Sequence, residues 1–172
     1  MKLKIIGVGS RMPDWVASGF EEYRRRLPKA FYPQLVEIPL ARRHKNQTTI
    51  SIKEKEGAAI LKKLDQQDFV VALDILGQSI NTTELADKLL KWQEAALNIS
   101  ILIGGPNGIS DSCLSRADLL WSLSDLTLPH TLVRLLIMEQ IYRAWSINVR
   151  HPYHRSVSYT HLTLPTNGLV LI

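Results

Sequence analysis

Ile99-Ser-Ile-Leu-Ile103 runs directly into Gly104-Gly-Pro-Asn-Gly108, and this junction decides the fold. An almost unbroken apolar run of this length reads as a strand buried on both faces, the condition of a parallel sheet covered by helices. The glycines then stop it abruptly. Without a Cβ, a residue at such a place tolerates positive φ and lets a ligand approach the backbone. A side chain at Gly104 is therefore expected to block a ligand while leaving the fold intact. Phe69-Val-Val-Ala-Leu-Asp74 has the same continuous character, and Leu119–Leu123, Leu3–Val8 and Gln34–Leu40 complete a set of five strands.

Between the strands the apolar period lengthens to that of a helix. Asp14 is placed to cap a helix carrying Trp15, Gly19/Phe20, Tyr23 and Leu27 on one face, with Glu21–Arg25 and Glu22–Arg26 pairs opposite. A loop at 42–46 precedes a helix over roughly 50–64. After a turn at Gly77, Asn81-x-x-Glu84 has the form of a capping box, with Ile80 and Leu85 as a staple. A short helix starts near Ser110. The last, over roughly 132–147, is expected to bury Leu132, Leu135, Leu136, Ile141 and Trp145. Strands alternating with helices predict an α/β domain with a mainly parallel sheet and helices on both faces. Ligands of such sheets settle at the carboxyl ends of the strands.

The 172 residues suit a single domain, and 45% hydrophobic with 22% charged residues is a globular composition. The apolar runs are too short for a membrane span or a signal peptide, which points to the cytoplasm. The single cysteine, Cys113, excludes an intrachain disulfide and gives no sign of a metal cluster. Net charge is +5, and residues 1–68 hold 14 basic against 8 acidic side chains, whereas residues 69–155 hold 7 against 8. That asymmetry hints at a polyanion such as nucleic acid, although a solvated lysine-rich surface produces the same count. Residues 156–172 are uncharged, rich in Ser and Thr, and without helical period, and they read as an appended tail to a domain of residues 1–155.

Three loops follow the buried strands, at Leu73-Asp74, Gly104–Gly108 and Leu123–Leu128. Neither Gly104-Gly-Pro-Asn-Gly108 nor Gly7-Val-Gly9 satisfies the dinucleotide fingerprint, which disfavours a Rossmann-type enzyme. Four motifs in order carry a resemblance: Ile103-Gly-Gly-Pro-Asn-Gly108, Leu123-Ser-Asp-Leu-Thr-Leu-Pro-His130, Tyr142-Arg-Ala-Trp145 and His151-Pro-Tyr-His-Arg155. With Met12-Pro-Asp-Trp15, they resemble the ribosomal RNA large subunit methyltransferase H family over residues 1–155. The resemblance implies a SPOUT-type domain with a C-terminal trefoil knot, S-adenosylmethionine as cofactor, and a homodimer. It further implies methylation of N3 of a pseudouridine in 23S rRNA, on the assembled ribosome. Carried over by motif, the cofactor positions are Leu73, Gly104, Leu123, Ser124, Asp125, Leu126, Thr127 and Leu128.

An N3 imide proton is weakly acidic, so a histidine is a suitable base. His154 is the favoured candidate, with Tyr153 stacking on the target base and Arg155 stabilising an imidate or holding phosphate. His130 has a simpler account as a capping group. Arg42, Arg43 and Lys45 have no acidic neighbour in sequence and are the expected phosphate contacts. Arg24, Arg25 and Arg26 already have partners in Glu21 and Glu22. The main rival reading is a non-catalytic α/β RNA-binding protein, which leaves the glycine-rich and leucine-rich loops without a purpose.

Overall fold

The computed structural model describes residues 1–9, 11–42 and 46–154. Arg43, Lys45, Arg155 and the tail 156–172 therefore lie outside the described residues. Five strands, β1 (Leu3–Val8), β2 (Gln34–Ile38), β3 (Phe69–Ser79), β4 (Ile99–Ile103) and β5 (Leu119–Ser122), form one sheet in the order β2-β1-β4-β3-β5. Every pairing is parallel. All five residues of β4, the central strand, are buried, as their composition demands.

Helices cover both faces. On one side α1 (Asp14–Arg26), α3 (Thr82–Glu94) and α5 (His130–Asn148) pack together over Ile5, Val71, Ile99 and Ile101. On the other, α2 (Thr49–Leu61) and the short α4 (Asp111–Arg116) cover Ile6, Val8, Val70, Ala72 and Leu102. The capping box of α3 forms as its sequence implies: Asn81 Oδ1 accepts from the Glu84 N–H at 2.9 Å, and Glu84 Oε2 accepts from the Asn81 N–H at 2.8 Å.

Four expectations fail for local reasons. Asp14 caps nothing; Pro13 occupies the N-cap and its carbonyl accepts from Val16 and Ala17, so Trp15 leaves the buried face and is 63% exposed. Glu21 pairs with Arg24 rather than Arg25, while Glu22 holds both Arg25 and Arg26. There is no turn at Gly77: β3 continues to Ser79, with a register break that lets both Leu73 and Gln78 pair with Trp121. A Cβ on Gly77 would lie 2.6 Å from the Trp121 backbone nitrogen, so only glycine permits that approach. Finally, α5 buries Val133, Arg134, Ile137, Met138, Ile141 and Tyr142, a face rotated from the leucine stripe, because Leu132, Leu135 and Leu136 are only half-buried.

Candidate functional site

The carboxyl ends of β3, β4 and β5 open into one cavity of about 330 Å³, inside the range of small-molecule sites. Leu73, Asp74 and Ile75 line it from β3, and Ile103 to Pro106 with Gly108 and Ile109 from the loop after β4. Trp121 to Ser124 and Leu126 to Leu128 supply the wall after β5, and His130 and Val133 close it from the first turn of α5. Seven of the eight expected cofactor positions thus share one cavity. Asp125 is exposed and is not among its lining residues.

The loop 104–108 is a tight turn. Gly108 N–H donates to the Gly105 carbonyl at 2.9 Å across Pro106-Asn107, and Gly108 sits at φ +84°. A Cβ on Gly104 would lie 2.6 Å from the Gly108 carbonyl carbon and 2.8 Å from the Ile109 nitrogen. The expectation that a side chain there spares the fold is therefore corrected: Gly104 is required by the closure of its own loop before any ligand arrives. The loop after β5 is held by Leu126 N–H donating to Ser124 Oγ at 3.0 Å, and Asp74 Oδ1 accepts from Leu76 N–H at 2.8 Å. Leu126 is 73% exposed at the mouth.

Sequence reasoning missed a charged cluster beside this cavity. Arg134 is fully buried in the apolar side of α5; Nη1 donates to Glu37 at 2.9 Å, and Nη2 donates to the Val8 carbonyl at 2.9 Å and to the Gly9 carbonyl. Gly7 makes the room, since a Cβ there would lie 2.8 Å from Arg134 Nε. Glu56 is buried, with Oε1 accepting from Ala41 N–H at 3.1 Å and Oε2 against Gly105. The His130 ring borders Gly9. Burial, and then the Arg134 charge, hold its pKa below the ordinary histidine value against the opposing pull of Glu56. The only signal in the sequence was an arginine at a core-facing helical position.

Of the expected catalytic residues, Tyr153 and His154 are elsewhere in the chain's own fold. Tyr153 turns back onto α5: its hydroxyl donates to Glu139 Oε1 at 3.0 Å, its ring lies 4.7 Å from that of Tyr142, and Arg143 sits 4.8 Å above it. Burial, with Tyr23 and Glu139 beside it, pushes the Tyr153 phenol pKa up. His154 Nδ1 is buried without a partner among the described residues. His130 and Glu139 are nine residues apart, about 14 Å along the helix axis. Tyr153 and His154 therefore do not meet the cavity of their own chain. Arg42 is exposed, and Arg24, Arg25 and Arg26 are ion-paired. Trp145 is half-buried against the core and stacks on Tyr142. Among the described residues no group of acidic, Cys and His side chains could hold a metal, and no helix is long and apolar enough to cross a membrane.

An all-parallel sheet with a loop-built cavity on its carboxyl edge defines an α/β ligand-binding protein. Comparison with known proteins makes the class specific. Residues 1–154 match the family described as "Predicted SPOUT methyltransferase". Ribosomal RNA large subunit methyltransferase H of Saccharophagus degradans is 51% identical over 155 residues, 90% of this chain and 100% of that protein. Its counterpart in Hahella chejuensis is 48% identical over 90% of this chain and 99% of its own length. The chain belongs to the SPOUT methyltransferases and, within them, to the ribosomal RNA large subunit methyltransferase H family. Solved structures agree on the fold. A probable methyltransferase from Bordetella pertussis aligns with TM-score 0.53 at 14% identity, over 83% of this chain and 95% of that one. The tRNA (m1G37) methyltransferase of Aquifex aeolicus aligns with TM-score 0.51 at 15% identity, over 83% and 70%.

Proposed function

We propose that the protein transfers a methyl group from S-adenosylmethionine to N3 of a pseudouridine in 23S rRNA. It does so on the assembled ribosome in the cytoplasm, as a homodimer with a knotted C-terminal part. The observation that carries the reading is the single cavity that gathers Leu73, Gly104 and the 123–128 loop at the sheet's carboxyl edge. Its residues fit the cofactor. Leu123, Leu126 and Leu128 offer an apolar slot for a flat base, the loop backbones offer donors and acceptors, and the wall residue Trp121 has a buried Nε1–H without a partner among the described residues. When bound, S-adenosylmethionine supplies a methyl group activated by a sulfonium.

The chain's own residues supply position and proton handling. Strand ends hold the three loops rigidly, and an in-line approach of acceptor to donor accounts for much of the rate. Tyr153, His154 and Arg155 act at the acceptor: the tyrosine stacks on the base, His154 takes the N3 proton, and Arg155 steadies the anion or a phosphate. Because Tyr153 and His154 lie away from their own cavity, they serve the cavity of the partner copy. Arg42, Arg43 and Lys45 hold RNA phosphates.

The test is transfer of labelled methyl from S-adenosylmethionine to ribosomes from cells lacking the activity, followed by mapping of the label. One labelled pseudouridine in 23S rRNA is expected, and binding to ribosomes without transfer would instead establish an RNA-binding protein. His154→Ala is expected to lower kcat by about 10²–10⁴ with cofactor affinity unchanged.

A further inference from the structure

A large aromatic side chain turned to water is uncommon unless it meets a partner, and Trp15 is 63% exposed in the first turn of α1. Its neighbours hold it in that position. Met12 packs into the core, Pro13 starts the helix, and the next residue, Val16, is fully buried, so the ring is presented outward on a fixed backbone. Of the other tryptophans, Trp92 and Trp121 are buried and Trp145 packs against the core.

Two arginines stand at the same edge. Arg11 lies two residues beyond Gly9, so its Cα is within about 7 Å of the glycine that borders the cavity residue His130. Arg42 follows Ala41, whose N–H is held by Glu56 against the cavity residue Gly105. Among the described residues neither guanidinium has an ion-pair partner, whereas Arg24, Arg25, Arg26, Arg116, Arg134 and Arg143 all do. This rim lies beside the ends of β1 and β4, from which the connections leave in opposite directions across the sheet. Such a crevice is where α/β sheets receive ligands.

We propose that Trp15, flanked by Arg11 and Arg42, is a stacking platform for an unpaired RNA nucleotide next to the methyl acceptor. The inference rests on the RNA-methylating reading above and extends it to a surface outside the cofactor cavity. An aromatic ring discriminates in favour of unpaired RNA, because only an unstacked base offers its face, while arginines supply sequence-independent phosphate contacts. A duplex would use the arginines and leave the tryptophan idle.

Methyl transfer to unmethylated ribosomes by Trp15→Ala, Trp15→Leu and Trp15→Phe separates the possibilities. Loss of one base stack predicts a KM for ribosomes about 10- to 100-fold higher for the alanine variant, with kcat, cofactor affinity and thermal unfolding unchanged. The phenylalanine variant is expected to recover most of the loss and the leucine variant little of it. Equal recovery by leucine, or an unchanged KM for alanine, overturns the proposal. So does a shift of the RNA-free alanine variant to a smaller species in sedimentation, which would make this face a contact between copies. If the wild-type protein transfers no methyl, the proposed reaction fails. Binding of the same variants to ribosomal particles then decides the platform: unaltered binding of Trp15→Ala overturns it, and weakened binding rescued by Phe supports it.

Discussion

Arg134 is the largest fully buried side chain among the described residues, and a buried guanidinium is tolerable only when most of its donors are used. Three acceptors meet its two Nη groups, Glu37 and the carbonyls of Val8 and Gly9, while Nε–H, pressed against Gly7, has no partner among the described residues. Those carbonyls belong to the end of β1 and the residue after it, so the arginine ties α5 to the strand end from which the Trp15 segment departs. The glycine at position 7 is the other half of the arrangement. Arg134→Met keeps the apolar stem but leaves two carbonyls and a carboxylate unserved. Glu37 is 34% exposed and can recover water, so the cost falls somewhat below that of a fully buried broken pair, about 2–4 kcal/mol. A lower urea midpoint at constant slope is the expected measurement. This arginine's core-facing helical position was the one signal in the sequence, and its partner could not be read there, because Glu37 lies 97 residues away.

At the scale of elements, the contact between α2 and α4 is set by one glycine. A Cβ on Gly57 would fall 1.9 Å from Ser110 Oγ, and Ser110 is the buried N-cap of α4. In an isolated helix, alanine at 57 would gain about 1 kcal/mol over glycine. Here overpacking of about 1–3 kcal/mol and a displaced cap of about 1 kcal/mol outweigh that gain. Gly57→Ala should therefore destabilise, and adding Ser110→Gly should recover part of the loss, a coupling that a double-mutant cycle reads directly. Elements with strong local chemistry were legible: continuous apolar strands, the Asn81–Glu84 box, and helices on both faces. Misreadings fell where a distant partner decides. The register break in β3 depends on Trp121, and the buried face of α5 depends on the end of β1, which takes Arg134, and on α1, where Tyr23 meets Tyr142.

For the whole molecule, the loops of the cavity were legible because each follows a buried strand, and parallel sheets gather such ends at one edge. The position of the C-terminal motif was not. Proline at 152 marks a stop, but the return of the chain onto α5 depends on Tyr153 finding Glu139, Tyr142 and Arg143. That return separates Tyr153 and His154, proposed to act at the acceptor, from their own cavity by a length of helix. A site completed by a second copy has a consequence that a site within one chain lacks. Thr127 is exposed and lines the cavity, so Thr127→Trp should fill it and abolish cofactor binding without disturbing the core. His154→Ala should disable the acceptor side of the partner's site. Each variant alone should be nearly inactive. Mixed in equal amounts and allowed to exchange subunits, half of the two-fold dimers would carry one site with an intact cavity and an intact tail. About a quarter of wild-type activity should then return. If the exchanged mixture stays as inactive as its components, each chain must complete its own site, and the segment beyond Arg150 would have to leave α5 during turnover.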